Sequence, residues 1–171
     1  MFPLSVRIVL VMLCFGASFY SFYEGKDGWP FYLVAGLFFI YEHFKGGSIW
    51  LAFQAYKNRK PEWVRRFLRN TYKPEWLRPT SKSYYYFLSA VISTIDGDLW
   101  SAKNHLLTAI ELPFSTEHMR CLAHCFLADV YVDLGEINEG KEFYEIARNI
   151  PHRSELNLMI EKLGKRIEEL A

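Results

Sequence analysis

Apolar residues run without a charge from Ile8 to Tyr23 and again from Trp29 to Tyr41, separated by the polar turn Glu24-Gly25-Lys26-Asp27-Gly28. Beyond residue 45 the pattern changes: apolar positions recur three and four apart, and charged residues fill the opposite face. That period belongs to amphipathic helices, and no stretch alternates as a strand does. The chain is expected to be all-α. An N-terminal helical hairpin (1–44) should precede a helical domain (45–171).

The first apolar run, extended to residues 4–23, takes in only Arg7, close enough to its end for the charged head to reach water. A membrane-spanning helix needs about 17–25 residues, so this segment is long enough. A cleaved signal peptide competes with that reading, but no small-x-small cleavage site follows the run. The second run, 29–44, spans only if Glu42 and His43 lie at the headgroups. Its thirteen uncharged residues would cover about 20 Å of a core about 30 Å thick. A re-entrant or interfacial helix is the alternative. Aromatic residues from Phe19 to Tyr32 crowd the turn, where an interfacial belt would sit.

Within the helical domain one turn occurs twice, 38 residues apart. Asp96-Gly97-Asp98-Leu99 recurs as Leu134-Gly135-Glu136-Ile137. Ala90 matches Ala128, Ala109 matches Ala147, and Pro113 matches Pro151 at the same offset. Glycine permits the turn, small residues permit close helix approach, and proline ends the second helix. Two helix-turn-helix units are predicted, over 83–115 and 117–151. A degenerate earlier unit fits 46–79, with Phe53 and Tyr56 aligned on Ala128 and Tyr131. In that alignment Lys60 replaces the turn glycine, Arg65 takes a small-residue site, and Arg69 and Tyr72 take larger ones. Residues 154–170 carry Leu156, Met159, Ile160, Leu163, Ile167 and Leu170 on one face and charges on the other, as a capping helix would.

The repeated unit resembles the tetratricopeptide repeat, whose usual period is about 34 residues. The resemblance implies a short α-solenoid whose groove is lined by the first helix of each unit. Mapped onto this chain, the groove positions are Trp50 and Gln54, then Tyr84, Phe87 and Val91, then Cys125 and Asp129. Members that clamp a terminal carboxylate place Lys, Arg and Asn there, and this chain does not. An apolar or amphipathic helix of a protein partner fits such a groove better. Membrane-tethered members of the family recruit partners or organise assemblies.

Composition and charge then narrow the function. Aromatic residues make up 18% of the chain, too many for a disordered adaptor. The net charge of +1 conceals a basic block, 45–82, with ten Lys/Arg against two Asp/Glu, and an acidic one, 83–171, with eight against fourteen. Lys57, Arg59, Lys60, Arg65, Arg66 and Arg69 form a basic collar directly after the hairpin. Positive charge stays on the cytoplasmic side, so the helical domain is expected in the cytoplasm, at what would be a bacterial inner membrane. Anionic lipid headgroups are nearer to this collar than nucleic acid would be, and nucleic acid is not expected as a partner.

No phosphate loop, nucleophile elbow or HExxH motif is present, so no enzyme, catalytic residue or cofactor is expected. His118, Cys121, His124 and Cys125 are the one metal-like group. Structural zinc sites usually draw ligands from two elements and these lie on one helix, so no metal is expected either. Cys14, Cys121 and Cys125 do not form a secreted disulfide framework. Glu42-His43 is an ordinary helix end on this reading. The expected function is a membrane-anchored scaffold for a protein partner. The alternative is a structural membrane protein acting through homo-oligomers or anionic lipid.

Overall fold

A computed structural model describes residues 4–46, 48–71 and 73–170, with side chains from residue 8 and excepting 42–46. Tyr72 and the side chains of Arg7, Glu42 and His43 lie outside this description. Among the described residues the chain is all-helical: α1 (Leu4–Tyr23), α2 (Trp29–Gly46), α3 (Ile49–Lys57), α4 (Pro61–Arg69), α5 (Pro79–Ile95), α6 (Leu99–Ile110), α7 (Glu117–Asp133), α8 (Ile137–Asn149) and α9 (Asn157–Leu170). Short 3-10 turns at Pro74–Trp76 and Ser154–Leu156 precede α5 and α9. The helices pair as α1/α2, α3/α4, α5/α6 and α7/α8, and from α3 onward each pair packs on the next. Helix α9 closes the series on α7 and α8.

The same backbone turn joins the two helices of every unit. In the second, Gly97 donates its N–H to the Thr94 carbonyl at 3.1 Å and Asp98 to Ser93 at 2.9 Å. In the third, Gly135 donates to Val132 and Glu136 to Tyr131 at the same distances. In the first, Arg59 donates to Tyr56 and Lys60 to Ala55, both at 2.9 Å. Gly97 and Gly135 both sit at φ 80°, and Arg59, at φ 55°, is the one non-glycine described with positive φ. Such turns satisfy the last carbonyls of a helix and require a left-handed residue, which is why glycine is usual there. The first unit therefore keeps the spacing of 38 with Arg59, not Lys60, at the turn.

That register corrects the expected alignment of the first unit by one residue. Ala52, Ala90 and Ala128 are equivalent, and all three are essentially inaccessible. Val64, Ala102 and Gly140 form the matching small-residue row of the second helices, so Arg65 is not at that site. Gly140 has no room to spare: a methyl group there would lie 3.0 Å from Val132 Cγ2 and 3.1 Å from the Ala128 carbonyl. Larger side chains fill the next row, Leu68, Leu106 and Tyr144. Thr71, Ala109 and Ala147 complete the unit. On α9, Ile160, Leu163 and Ile167, with Leu156 just before it, bury against Cys121, Cys125, Ala128 and Val132.

The N-terminal hairpin forms where the apolar runs predict it. Ser18 Oγ donates to the Trp29 carbonyl at 2.9 Å, and Phe22 and Trp29 meet edge to face at 5.5 Å. Helix α1 ends in the same turn as the repeat units, with Gly25 at φ 67° and Lys26 N–H on the Ser21 carbonyl. The two predicted spans fare differently, since among the described residues no helix is long and apolar enough to cross a membrane. The uncharged stretches with described side chains, Ile8–Tyr23 and Trp29–Tyr41, cover about 24 and 20 Å against a core of about 30 Å.

Candidate protein-binding groove

The first helices of the units are tied together by aromatic rings. Phe87 of α5 lies edge to face with Tyr56 of α3 at 5.8 Å and with Phe126 of α7 at 5.5 Å. A second row runs from Phe53 through Tyr84 to Phe114, at 5.2 and 5.5 Å. Rings at these separations favour the edge-to-face geometry that both rows adopt. In the inner row Phe87 is buried and its two neighbours, Tyr56 and Phe126, are half-buried. The outer row is half-buried and borders a cavity of about 400 Å³ between α3 and the start of α5.

Trp50, Phe53, Gln54, Arg78, Tyr84 and Ser115 line this cavity. Trp50 is 45% exposed. The Tyr84 hydroxyl is held 2.5 Å from Ser115 Oγ, which ties the ring to the loop that follows α6. The walls are thus aromatic, with an amide, a guanidinium and hydroxyls at the rim. Such a surface accepts an apolar side chain at its centre and hydrogen-bonds a backbone at its edge.

Of the groove positions mapped from the sequence, Trp50, Gln54 and Tyr84 come together here. Phe87, Val91 and Cys125 do not line the groove, because all three are buried. Ile49, Phe87 and Cys125 occupy one equivalent position and all three are buried, Ile49 alone reaching the cavity wall. Asp129 is half-buried beside α9, whose Arg166 reaches it with Nη1 at 2.6 Å and Asp133 with Nη2. Helix α9 thereby occupies the third unit's share of the groove. A smaller space of about 370 Å³ beside it is lined by Asp129, Met159, Lys162 and Arg166. Phe53, Arg78 and Ser115 escaped the sequence reading. Phe53 was legible, since it follows Trp50 by three on one helix face.

The basic collar is likewise divided. Arg65 Nη1 and Nη2 donate to both carboxylate oxygens of Asp96 at 2.7 and 2.5 Å, which withdraws it from the surface set. Lys57, Arg59, Lys60, Arg66 and Arg69 are exposed, and the Arg66 guanidinium lies 5.3 Å over the Trp63 ring.

The metal-like group is taken apart by its own hydrogen bonds. His118 Nδ1 accepts from Arg153 N–H at 3.4 Å. Cys121 Sγ donates to the Ala147 carbonyl at 3.3 Å, and His124 Nδ1 donates to the Arg120 carbonyl at 2.8 Å. Burial pushes the Cys125 thiol up to about 12, where it stays protonated. Among the described residues no three His, Cys, Asp or Glu side chains are placed to hold a metal ion. Compared with protein-family models, with curated proteins and with solved structures, the chain matches none of them.

Proposed function

We propose that this protein is a non-enzymatic scaffold of the tetratricopeptide-repeat type, anchored in a membrane by its N-terminal hairpin, that holds an apolar or amphipathic helix of a protein partner. The observation that carries this reading is the aromatic cavity of Trp50, Phe53 and Tyr84, formed where two units meet. The repeated turns and small-residue rows support the family likeness. The membrane part rests on the outer surface of the hairpin. Met12, Leu13, Phe19, Phe31, Val34 and Phe38 are each more than half exposed. Fully burying a side chain of this kind is worth about 1.5–3 kcal/mol, so the hairpin is far more stable against lipid tails than in water. The basic collar then favours a cytoplasmic helical domain.

The test is site-specific crosslinking in the intact protein. Benzoylphenylalanine in place of Trp50 should capture one defined partner, and Tyr84→Asp should abolish that capture while leaving the helical circular dichroism unchanged. The same group in place of Trp100, on α6, should capture nothing in common with it. Equal capture from both positions would sink the groove. Capture of a second copy of the chain at Trp50 would replace the scaffold with a homo-oligomer.

A further inference from the structure

The spacing of 38 residues allows the second helices to be compared face by face. Lys60, at the start of α4, is equivalent to Asp98 and Glu136. Trp63 is equivalent to Ser101 and Glu139, Arg66 to Asn104 and Glu142, and Arg69 to Leu107 and Glu145. Lys60, Trp63, Arg66 and Arg69 are all exposed on α4, as Glu139, Glu142 and Glu145 are on α8. The outer face of the solenoid thus changes from basic and aromatic, through neutral, to acidic over three units. The inner rows carry no charge in any unit.

We infer that the outer face of α4 is a docking surface for an anionic lipid bilayer, and that the acidic face of α8 holds the other end of the solenoid away from it. Two observations select this occupant. The first is charge: Arg66 and Arg69, three apart, share an exposed face, Lys60 stands at the start of the helix, and the exposed Glu62 is the one acid on α4. The second is composition: Trp63, 46% exposed, lies beneath Arg66 and beside Phe67 at 5.9 Å. An aromatic body with a cation above it suits the headgroup layer, where Trp is enriched and each basic residue adds about fivefold to anionic-surface binding. Helix α3 begins three residues after α2 ends, so the face reaches the bilayer only with the hairpin as its anchor, and in this it rests on the reading above. Polynucleotide would meet the repelling acidic face of α8 as it followed the solenoid.

The experiment uses the full chain with Cys14→Ser and an environment-sensitive dye on Asn70→Cys, at the end of α4, or on Glu142→Cys, on α8. The protein is reconstituted in vesicles of pure phosphatidylcholine or of equimolar phosphatidylcholine and phosphatidylglycerol. With phosphatidylglycerol present, the dye at 70 should shift to the blue and be quenched by headgroup-labelled lipid, while the dye at 142 stays in water. Arg66→Glu with Arg69→Glu should reduce that quenching roughly tenfold or more. The milder Arg66→Gln with Arg69→Gln, checked by circular dichroism, separates lost charge from lost fold. A chain that floats with both vesicles while position 70 stays wet overturns the face alone. One that floats with neither overturns the anchor and the face together. Stronger shielding of position 70 by a short RNA than by the anionic vesicles overturns the lipid assignment.

Discussion

Arg65 grips both carboxylate oxygens of Asp96 from 31 residues away, and Lys103 Nζ holds Glu136 at 2.5 Å in the same way one unit later. The two cations are 38 residues apart on equivalent second helices, and each reaches the turn of the next unit. A bidentate pair of this kind fixes angle as well as distance. Exchanging the partners tests it: Arg65→Asp should lower the melting temperature, and adding Asp96→Arg should recover most of the loss. The coupling from the four proteins should shrink with added salt, as a partly exposed pair requires.

Arg59 is the natural place to gain stability. Its left-handed backbone costs an L residue about 1–2 kcal/mol, and glycine accepts that conformation without penalty. Arg59→Gly should therefore stabilise the protein by about 1 kcal/mol, read from urea unfolding with an unchanged slope. The reverse change, Gly97→Ala, should destabilise it by a similar amount.

Gly140 sets helix propensity against space. Alanine would add about 1 kcal/mol of helix stability in an open position. Here its methyl group meets Val132 and the Ala128 carbonyl at 3.0 and 3.1 Å, and overpacking costs about 1–3 kcal/mol. Crowding should win, so Gly140→Ala lowers the urea midpoint.

Phe87 is the wrong residue with which to probe a groove. It is fully buried between Tyr56 and Phe126, and truncation to alanine should cost about 3–5 kcal/mol. Calorimetry on Phe87→Ala should show a large loss of stability, whereas Trp50→Ala should leave the transition nearly in place.

Mild acid should weaken the fold through two histidines. Burial holds His124 below the ordinary imidazole value, against the upward pull of its bond to the Arg120 carbonyl, and burial lowers His105 as well. An unfolded chain then binds these protons first, near pH about 6.5. Stability present above that pH is lost as the pH falls towards the depressed folded values. Melting temperature measured from neutral pH downward should show the slope, and His124→Gln should flatten part of it.

How far the sequence could be read depended on what each residue does locally. Gly97, Gly135 and the two prolines mark backbone events, so the second and third units were legible at once. In the first unit the left-handed turn is made by Arg59, a residue type that carries no turn signal, and the alignment slipped by one. That slip placed Phe53 where Ala52 belongs and Arg65 where Val64 belongs. The groove was read through family positions, and the inward position shared by Ile49, Phe87 and Cys125 is decided by the packing angle between units. Such angles come from contacts 30 or more residues apart, like that of Arg65 with Asp96. Helix α9 was recognisable from its apolar face. Its hold on Asp129 and Asp133 was not, because a lone Arg166 among other surface charges announces no partner.

From α3 onward each helix pair leans only on the pair beside it, with α9 added last. A growing chain can therefore lay down each unit on a finished neighbour as it leaves the ribosome, without waiting for distant sequence. The one exception is the wall of Cys121, Cys125, Ala128 and Val132, which stays wet until the last fourteen-residue helix is made. Removal of α9 as a whole would consequently leave that wall open on otherwise complete units, an apolar face available to any other copy of the chain.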